Sequence, residues 1–330
     1  MDSIVKLGLD VYHGNVQTEY TNGKDAEATL REALIKANGG KETIDVRSLR
    51  ENKQIFTIIE EIIDIAVEEG MKGDEFFMKW VDYRNLAEGD KNEFVIEADS
   101  EFIVADMSRG IATPRRQRIG EETTLSIPTK TSGIRVYEEL SRVLAGRVKW
   151  ATFIDKAVKA VTKDRYDKIF TAFTGITKDT RGLSETYIKA GSYDEEALLE
   201  MVEHVEAATG AKAEIIGVKQ ALRKIKTAEV SDEAKSSYYN VGHYGKVAGV
   251  NMTAINQIHR AGTETFMLPA DTVWVVASND PFIKFVTEGE GYISDTPADN
   301  NADFTQEYLY IERTGCSVVL KSKIGRYTFA

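Results

Sequence analysis

Residues 148–173 limit the fold of this chain more than any other stretch. Trp150, Phe153, Ile154, Ala157, Val161, Ile169, Phe170 and Phe173 recur there at three- and four-residue steps. That spacing draws one apolar stripe along a helix. Lys156, Lys159, Lys163 and Lys168 share the other face with Asp155, Asp164 and Asp167. Asp155–Lys159 and Asp164–Lys168 stand four apart with the acid first, which supports a helix by a few tenths of a kcal/mol per pair. At about 1.5 Å per residue the helix is a rod of about 39 Å. It is too polar to span a membrane, which takes about 18 apolar residues in a row. The central helix of an ordinary α/β domain would show the same stripe, so the flanking sequence has to separate the two readings.

Upstream of the rod, residues 1 to about 23 are mixed and have no sustained period. They are expected to form an extended arm that buries no face of its own. Residues 24–36 predict a short helix with Ala26, Leu30, Ala33, Leu34 and Ala37 inward and Gly39-Gly40 as its stop. Ser48-Leu-Arg-Glu51 fits a capping box. It precedes the apolar face Ile55, Ile58, Ile59, Ile62, Ile63 and Ala66, which is expected to end at Gly70. Phe76, Phe77, Trp80, Val81 and Tyr83 read first as core and second as a docking face for a neighbouring subunit. From 93 to about 136 the period changes to two: Phe94, Ile96 and Ala98 alternate with polar residues, as do residues 124–127. Two long antiparallel strands are expected, leaving the body as a hairpin with a polar tip over 107–120. Such a hairpin is marginal alone in water and needs a surface to lie on. Arg115, Arg116 and Arg118 in the tip face Glu121 and Glu122. They read either as a solvated turn or as ion pairs to a neighbouring copy. As a nucleic-acid footprint they are weak.

A short helix over 137–144 is expected to lead into the rod. Beyond it, Gly175 and Gly182 mark a polar passage. Ser192-Tyr-Asp-Glu195 reads as a capping box for a helix burying Leu198, Met201, Val202 and Val205, closed by Gly210. Strands are expected at 213–218, 247–258 and 272–277, with helices at 219–226 and 231–239 and a turn at 266–271. This is an α/β or α+β globule of about a hundred residues. The last forty residues are expected to hold two or three strands, 307–313 and 316–323 joined by Thr314-Gly315, pairing with each other and with β material near the rod.

The chain has 330 residues and is 42% hydrophobic, enough for sizeable cores. Its net charge of −11 argues against binding phosphates by bulk attraction. One cysteine, Cys316, excludes an intrachain disulfide framework and a cysteine-based zinc site. The start lacks a basic region followed by an apolar run, so assembly in a cytosol is expected. No phosphate-binding glycine loop, dinucleotide fingerprint, HExxH or nucleophile elbow occurs. Gly289-Glu-Gly291 reads as a turn. The four histidines, at 13, 204, 243 and 259, lack metal-ligand spacing. His243 reads as a loop residue, with a general base as the alternative. Cys316 reads as a buried, inert thiol. No catalytic residue, cofactor or metal is expected.

The order of parts resembles that of the major capsid proteins of tailed bacteriophages, whose shell fold is shared with encapsulins and the herpesvirus capsid floor. Residues 118–128 and 133–137, running towards the rod, look like the second half of that family's extended loop entering its spine helix. Residues 216–225 are similar to the strand–helix step of its axial globule, and residues 244–250, 266–271 and 273–276 to later strands of it. The resemblance covers about 90–330.

It implies an α+β shell fold with an N-terminal arm (1–47), a helical segment joining the arm to the peripheral domain (48–92) and an extended hairpin loop (93–136). A peripheral domain with spine helix (137–185), an axial domain (186–292) and returning strands (293–330) follow. It also implies a virion protein that self-assembles into hexamers and pentamers of an icosahedral head around double-stranded DNA, without sequence-specific binding. A portal protein is an implied partner. Scaffold, expected to be a separate protein, and decoration proteins are further ones. No membrane is involved. Arg115, Arg116, Arg118, Glu121 and Glu122 become candidate inter-subunit contacts. An encapsulin-type compartment and a soluble enzyme using His243 are the alternatives. On this reading the hairpin and the N-terminal tail hold their shape only on sister copies, so either one packing wholly on its own subunit would overturn it.

Overall fold

The computed structural model describes residues 2–15, 25–42, 54–96, 117–118, 120, 123–137, 144–147, 149–176, 183–226, 232–278, 281–296, 307–319 and 323–330. Its helices are α1 (Asp2–His13), α2 (Ala26–Ala37), α3 (Gln54–Lys72), α4 (Glu75–Trp80), α5 (Trp150–Thr174), α6 (Glu195–Thr209), α7 (Lys219–Leu222) and α8 (Asp232–Val241). Its strands are β1 (Val81–Leu86), β2 (Glu93–Ile96), β3 (Thr123–Ser126), β4 (Lys130–Tyr137), β5 (Ile188–Gly191), β6 (Ala213–Val218) and β7 (Lys246–Val247). They continue with β8 (Val250–Ile255), β9 (Thr272–Ala277), β10 (Ile283–Glu288), β11 (Tyr292–Thr296), β12 (Glu307–Val318) and β13 (Gly325–Phe329). The expectation of an α+β architecture holds.

The rod is α5, 25 residues long. Trp150, Ile154, Val161, Ile169, Phe170 and Phe173 are buried on it as the stripe requires, together with Val158, Arg165 and Tyr166. At its N-terminal end the Trp150 amide donates to Glu27 of α2 at 2.9 Å. Along its length it packs on α3 and on β12 and β10. At its C-terminal end the Phe173 ring lies 4.3 Å from that of Trp274, centroid to centroid. One helix therefore touches both large sheets. The ion pairs Asp155–Lys159 and Asp164–Lys168 form as expected, each at 2.7 Å. Lys168 is not on a solvated face, however. Its Nζ also donates to Ser132 at 2.6 Å and Thr314 at 2.5 Å, because the sheet passes beneath it.

In the first sheet β12 is central. It pairs antiparallel with β4 on one edge, and with β11 and then β10 on the other. β1 continues the sheet, parallel to β10. The second sheet runs β5-β13-β9-β6-β8-β7, with β6 and β9 buried throughout, as runs apolar but for Glu214 and Thr272 allow. Buried Glu214 of β6 accepts a hydrogen bond from Thr253. It also lies 3.5 Å from Lys79 of α4, which ties that helix to this sheet. Phe76, Phe77 and Trp80 are buried, and Phe76 meets the rings of Phe170 and Phe173. The core reading of that aromatic cluster is correct and the docking reading is not.

Several expectations need correction. Residues 2–13 form no extended arm. They make α1, which packs on α3, α2 and α5 of its own chain, with Val5 and Leu7 buried. The period is present at Val5, Gly8, Leu9 and Tyr12, but a glycine occupies its centre. A Cβ at Gly8 would come within 2.5 Å of Ile62 Cδ1, so the missing side chain is what lets the two helices close up. α3 runs through Gly70 to Lys72, since packing outweighs the cost of about 1 kcal/mol for one helical glycine. Tyr137 ends β4; residues 138–143 of the expected helix lie outside the described residues, and Leu144 is helical. The cap of α6 is Asp194, whose side chain accepts from the Glu196 amide at 3.1 Å, not Ser192. Residues 307–318 are one strand, and Thr314-Gly315 pairs with β10 instead of turning. α7 and β8 are shorter than expected, and β1, β5, β10, β11 and β13 were not expected. The Ser48 capping box lies outside the described residues.

Candidate assembly surface

Three features lie on and beside the first sheet. The first is the root of the hairpin. β2 and β3 pair antiparallel from Glu93↔Ser126 to Ile96↔Thr123, as the alternation predicts. Phe94, Ile127 and Val286 form a small buried cluster beneath them. The Arg84 guanidinium lies 4.0 Å from the centre of the Phe94 ring. Thr129 Oγ1 donates to Glu288 at 2.7 Å, and this bond holds the Glu288 carboxyl below its ordinary range. Asn92 Nδ2 donates to the Ile127 carbonyl at 2.7 Å, and Arg313 to Glu88 at 2.8 Å. Gly315 completes the root: a Cβ there would lie 2.8 Å from the Pro128 carbonyl oxygen. Three strands, β1, β10 and β12, thus fix where the two arms leave the body.

The second is a polar ladder between α3, α5 and the sheet. Arg165 donates to Glu312 Oε2 from Nη2 at 2.8 Å and from Nε at 3.2 Å, and both side chains are 4% exposed. Asp64 accepts from Tyr310 Oη at 2.7 Å and from the Gly291 amide at 2.9 Å. Glu60 accepts from the Ile293 amide at 2.5 Å. Burial, with Asp64 and Glu290 nearby, raises the Glu60 carboxyl above its ordinary range. Burial and then the Asp64 carboxylate push the Tyr310 hydroxyl far above the ordinary phenol range. Gly289-Glu-Gly291 is not the turn that the sequence implies but a bulge of two extra residues: β10 and β11 run on along one edge of β12, both antiparallel to it, and these carboxylates hold the start of β11.

The third is an apolar groove of about 210 Å³ between α5 and β4, floored by α3, Ile293 and Tyr310. Phe153 and Ala157 line one wall and Ile134 and Val136 the other. Among the described residues β4 has β12 on one edge and no strand on the other.

Of the residues expected at inter-subunit contacts, Arg118 is described and exposed. Arg115, Arg116, Glu121 and Glu122 lie outside the described residues. His243 is buried, its Nδ1 2.8 Å from the Tyr244 carbonyl. Burial pushes the Cys316 thiol up to about 12, in keeping with an inert group. Sequence reasoning missed Glu60, Asp64, Glu288 and Glu312. Glu60 and Asp64 left a trace, two acids four apart bordering an isoleucine stripe. Glu288 and Glu312 left none, because their partners lie far away in the chain.

A rooted arm, an open strand edge and a groove beside it define a subunit built to meet other chains. The family described as "SPbeta prophage-derived putative capsid protein YonB" matches residues 4–328. The chain belongs to this phage-derived capsid family, and its role is structural, in the capsid of a virion. No curated protein matches it. Among solved structures, the asymmetric unit of the bacteriophage PhiM1 mature capsid is similar at 9% identity and TM-score 0.49, over 78% of this chain and 87% of that one. The capsid of a native GTA particle is similar at 10% identity and TM-score 0.49, over 78% and 90%. A virus-like particle from Pyrococcus furiosus is similar at 13% identity and TM-score 0.44, over 81% and 98%.

Proposed function

We propose that this chain is a major capsid protein whose copies form hexamers and pentamers of an icosahedral head enclosing double-stranded DNA. On this reading the head also takes a portal protein, with scaffold or decoration proteins as further partners, and it is assembled in the host cytoplasm. The first sheet with α5 acts as the peripheral domain, the second sheet as the axial domain, and residues 93–136 as the extended loop. The Arg115, Arg116 and Arg118 cluster and Glu121 and Glu122 meet a neighbouring copy. The observation that carries the reading is the hairpin root. Three strands, β1, β10 and β12, fix the exit of two arms joined by residues 97–122, an arrangement that suits a contact made elsewhere. α1 does not share this dependence, because its surface comes from its own chain. The packing of α1 on its own chain makes the condition set on the tail too strict, and the shell reading rests on the hairpin and on family membership. Interfaces of this kind are extensive and obligate. The acidic balance fits a wall that does not grip the DNA it encloses. Negative-stain microscopy of the expressed chain tests the reading. Shells, tubes or capsomer rings are expected, and a monomer at all concentrations overturns it.

A further inference from the structure

We propose that the groove between α5 and β4 binds a free medium-chain fatty acid, with the alkyl chain in the groove and the carboxylate at Lys156. The site is complete within one chain, so the proposal stands apart from the capsid reading. The groove, of about 210 Å³, is larger than an apolar cavity of about 150 Å³ that stays dry and takes up benzene. It follows α5 from Thr152 to Val161, about 14 Å at the rise of a helix. Ile59 and Ile63 of its floor and Val161 of its wall are almost wholly buried. An occupant there exchanges water for apolar contact on several sides.

The lining decides what fills it. Among the described residues that line the groove, only Thr152, Lys156 and Tyr310 are polar. The Tyr310 hydroxyl is engaged by Asp64. Thr152 and Lys156 are exposed and stand four apart on one side of α5. The interior thus offers no free side-chain partner to an amide or hydroxyl, and burying such a group unpaired is costly. A plain alkyl chain carries none. The rim decides the head. Among the described residues Lys156 makes no ion pair, and neither does Lys163, about two turns further along. The acids beside them, Asp155 and Asp164, are held by Lys159 and Lys168. Ile134, Ala160, Val161 and Tyr310 also border a smaller pocket of about 90 Å³, lined by Asp164 and Glu312. There the buried Glu312 Oε1 has no hydrogen-bond donor among the described residues. Acceptors at that end repel a carboxylate, which leaves the head at Lys156 and fixes the direction of the chain. One slot takes one chain, so a free acid fits and a two-chain lipid does not.

The test titrates the full-length subunit calorimetrically with hexanoate, octanoate, decanoate, dodecanoate and tetradecanoate, each below its micelle concentration. One site per chain is expected, with affinity rising about fourfold per methylene and levelling off once the groove is full. Decanol, the same chain without the charge, should bind about fivefold more weakly than decanoate. Lys156→Glu should weaken decanoate and leave decanol unchanged. Ala157→Phe, which fills the groove, should abolish binding of both while the circular dichroism of the subunit is unchanged. If that variant misfolds, Lys156→Glu decides alone. No saturable binding, no dependence on chain length, decanol as tight as decanoate, or binding indifferent to these substitutions overturns the proposal. So does sedimentation of the chain with phosphatidylcholine–phosphatidylglycerol vesicles, which would make the groove a lipid-surface site. Particles assembled from decanoate-loaded subunits should retain it after washing. Particles that expel it have a neighbouring copy in the groove, which overturns the proposal and leaves the shell reading standing.

Discussion

At the scale of single residues, the buried Arg165–Glu312 pair governs how the rod sits on the sheet. Both side chains are out of water, so removing one strands the other. Arg165→Met is expected to cost about 3–5 kcal/mol, and the double variant Arg165→Met/Glu312→Leu far less, because no charge is left alone. Urea denaturation of the unassembled subunit measures both. Glu60 gives the opposite sign. Its carboxyl is raised in the folded state, mainly by burial, so the folded chain favours the protonated form. Its stabilising share is full below the ordinary carboxylate range and is lost as pH rises through the raised folded value. Glu60→Gln keeps an acceptor for the Ile293 amide without the charge. The variant should therefore be more stable than the parent at pH 7, with the gap closing below about pH 4. Melting curves across that range check it, and a gap that widens in acid refutes it.

At the scale of elements, one glycine decides whether the hairpin is seated. Gly315→Val would drive a side chain into the Pro128 carbonyl and Ile127. Overpacking against backbone costs about 1–3 kcal/mol. Faster hydrogen exchange is expected over 123–130, with the second sheet unaffected. Other elements explain what the sequence discloses. α3, α5, α6, β6 and β9 are legible because each buries one face, or both, in a regular period. α1 is not, because its stripe passes through Gly8, which contributes space rather than a side chain. β12 reads as two strands because Thr314-Gly315 looks like a turn, yet the glycine is there to admit residues 127–128. β1 and β10 pair across some two hundred positions, a separation that leaves no local pattern. The groove was hidden for the same reason: its walls, α5 and β4, each look ordinary alone.

At the scale of the whole molecule, the hairpin beyond its root is expected to be separable in energy from the body. Replacing 97–122 by a short glycine–serine linker should leave the melting temperature of the subunit nearly unchanged, since the Phe94–Ile127–Val286 cluster remains. Particles should disappear from micrographs. A large fall in melting temperature would mean that the arm is part of the core. The strand order carries one more consequence. β12 is the middle of the first sheet and β13 lies between β5 and β9 in the second, yet both follow residue 306. On the ribosome, neither sheet can close until these two strands emerge. A nascent chain therefore keeps its lateral edges unfinished through most of translation, and a truncated one offers growing particles no completed face to recruit.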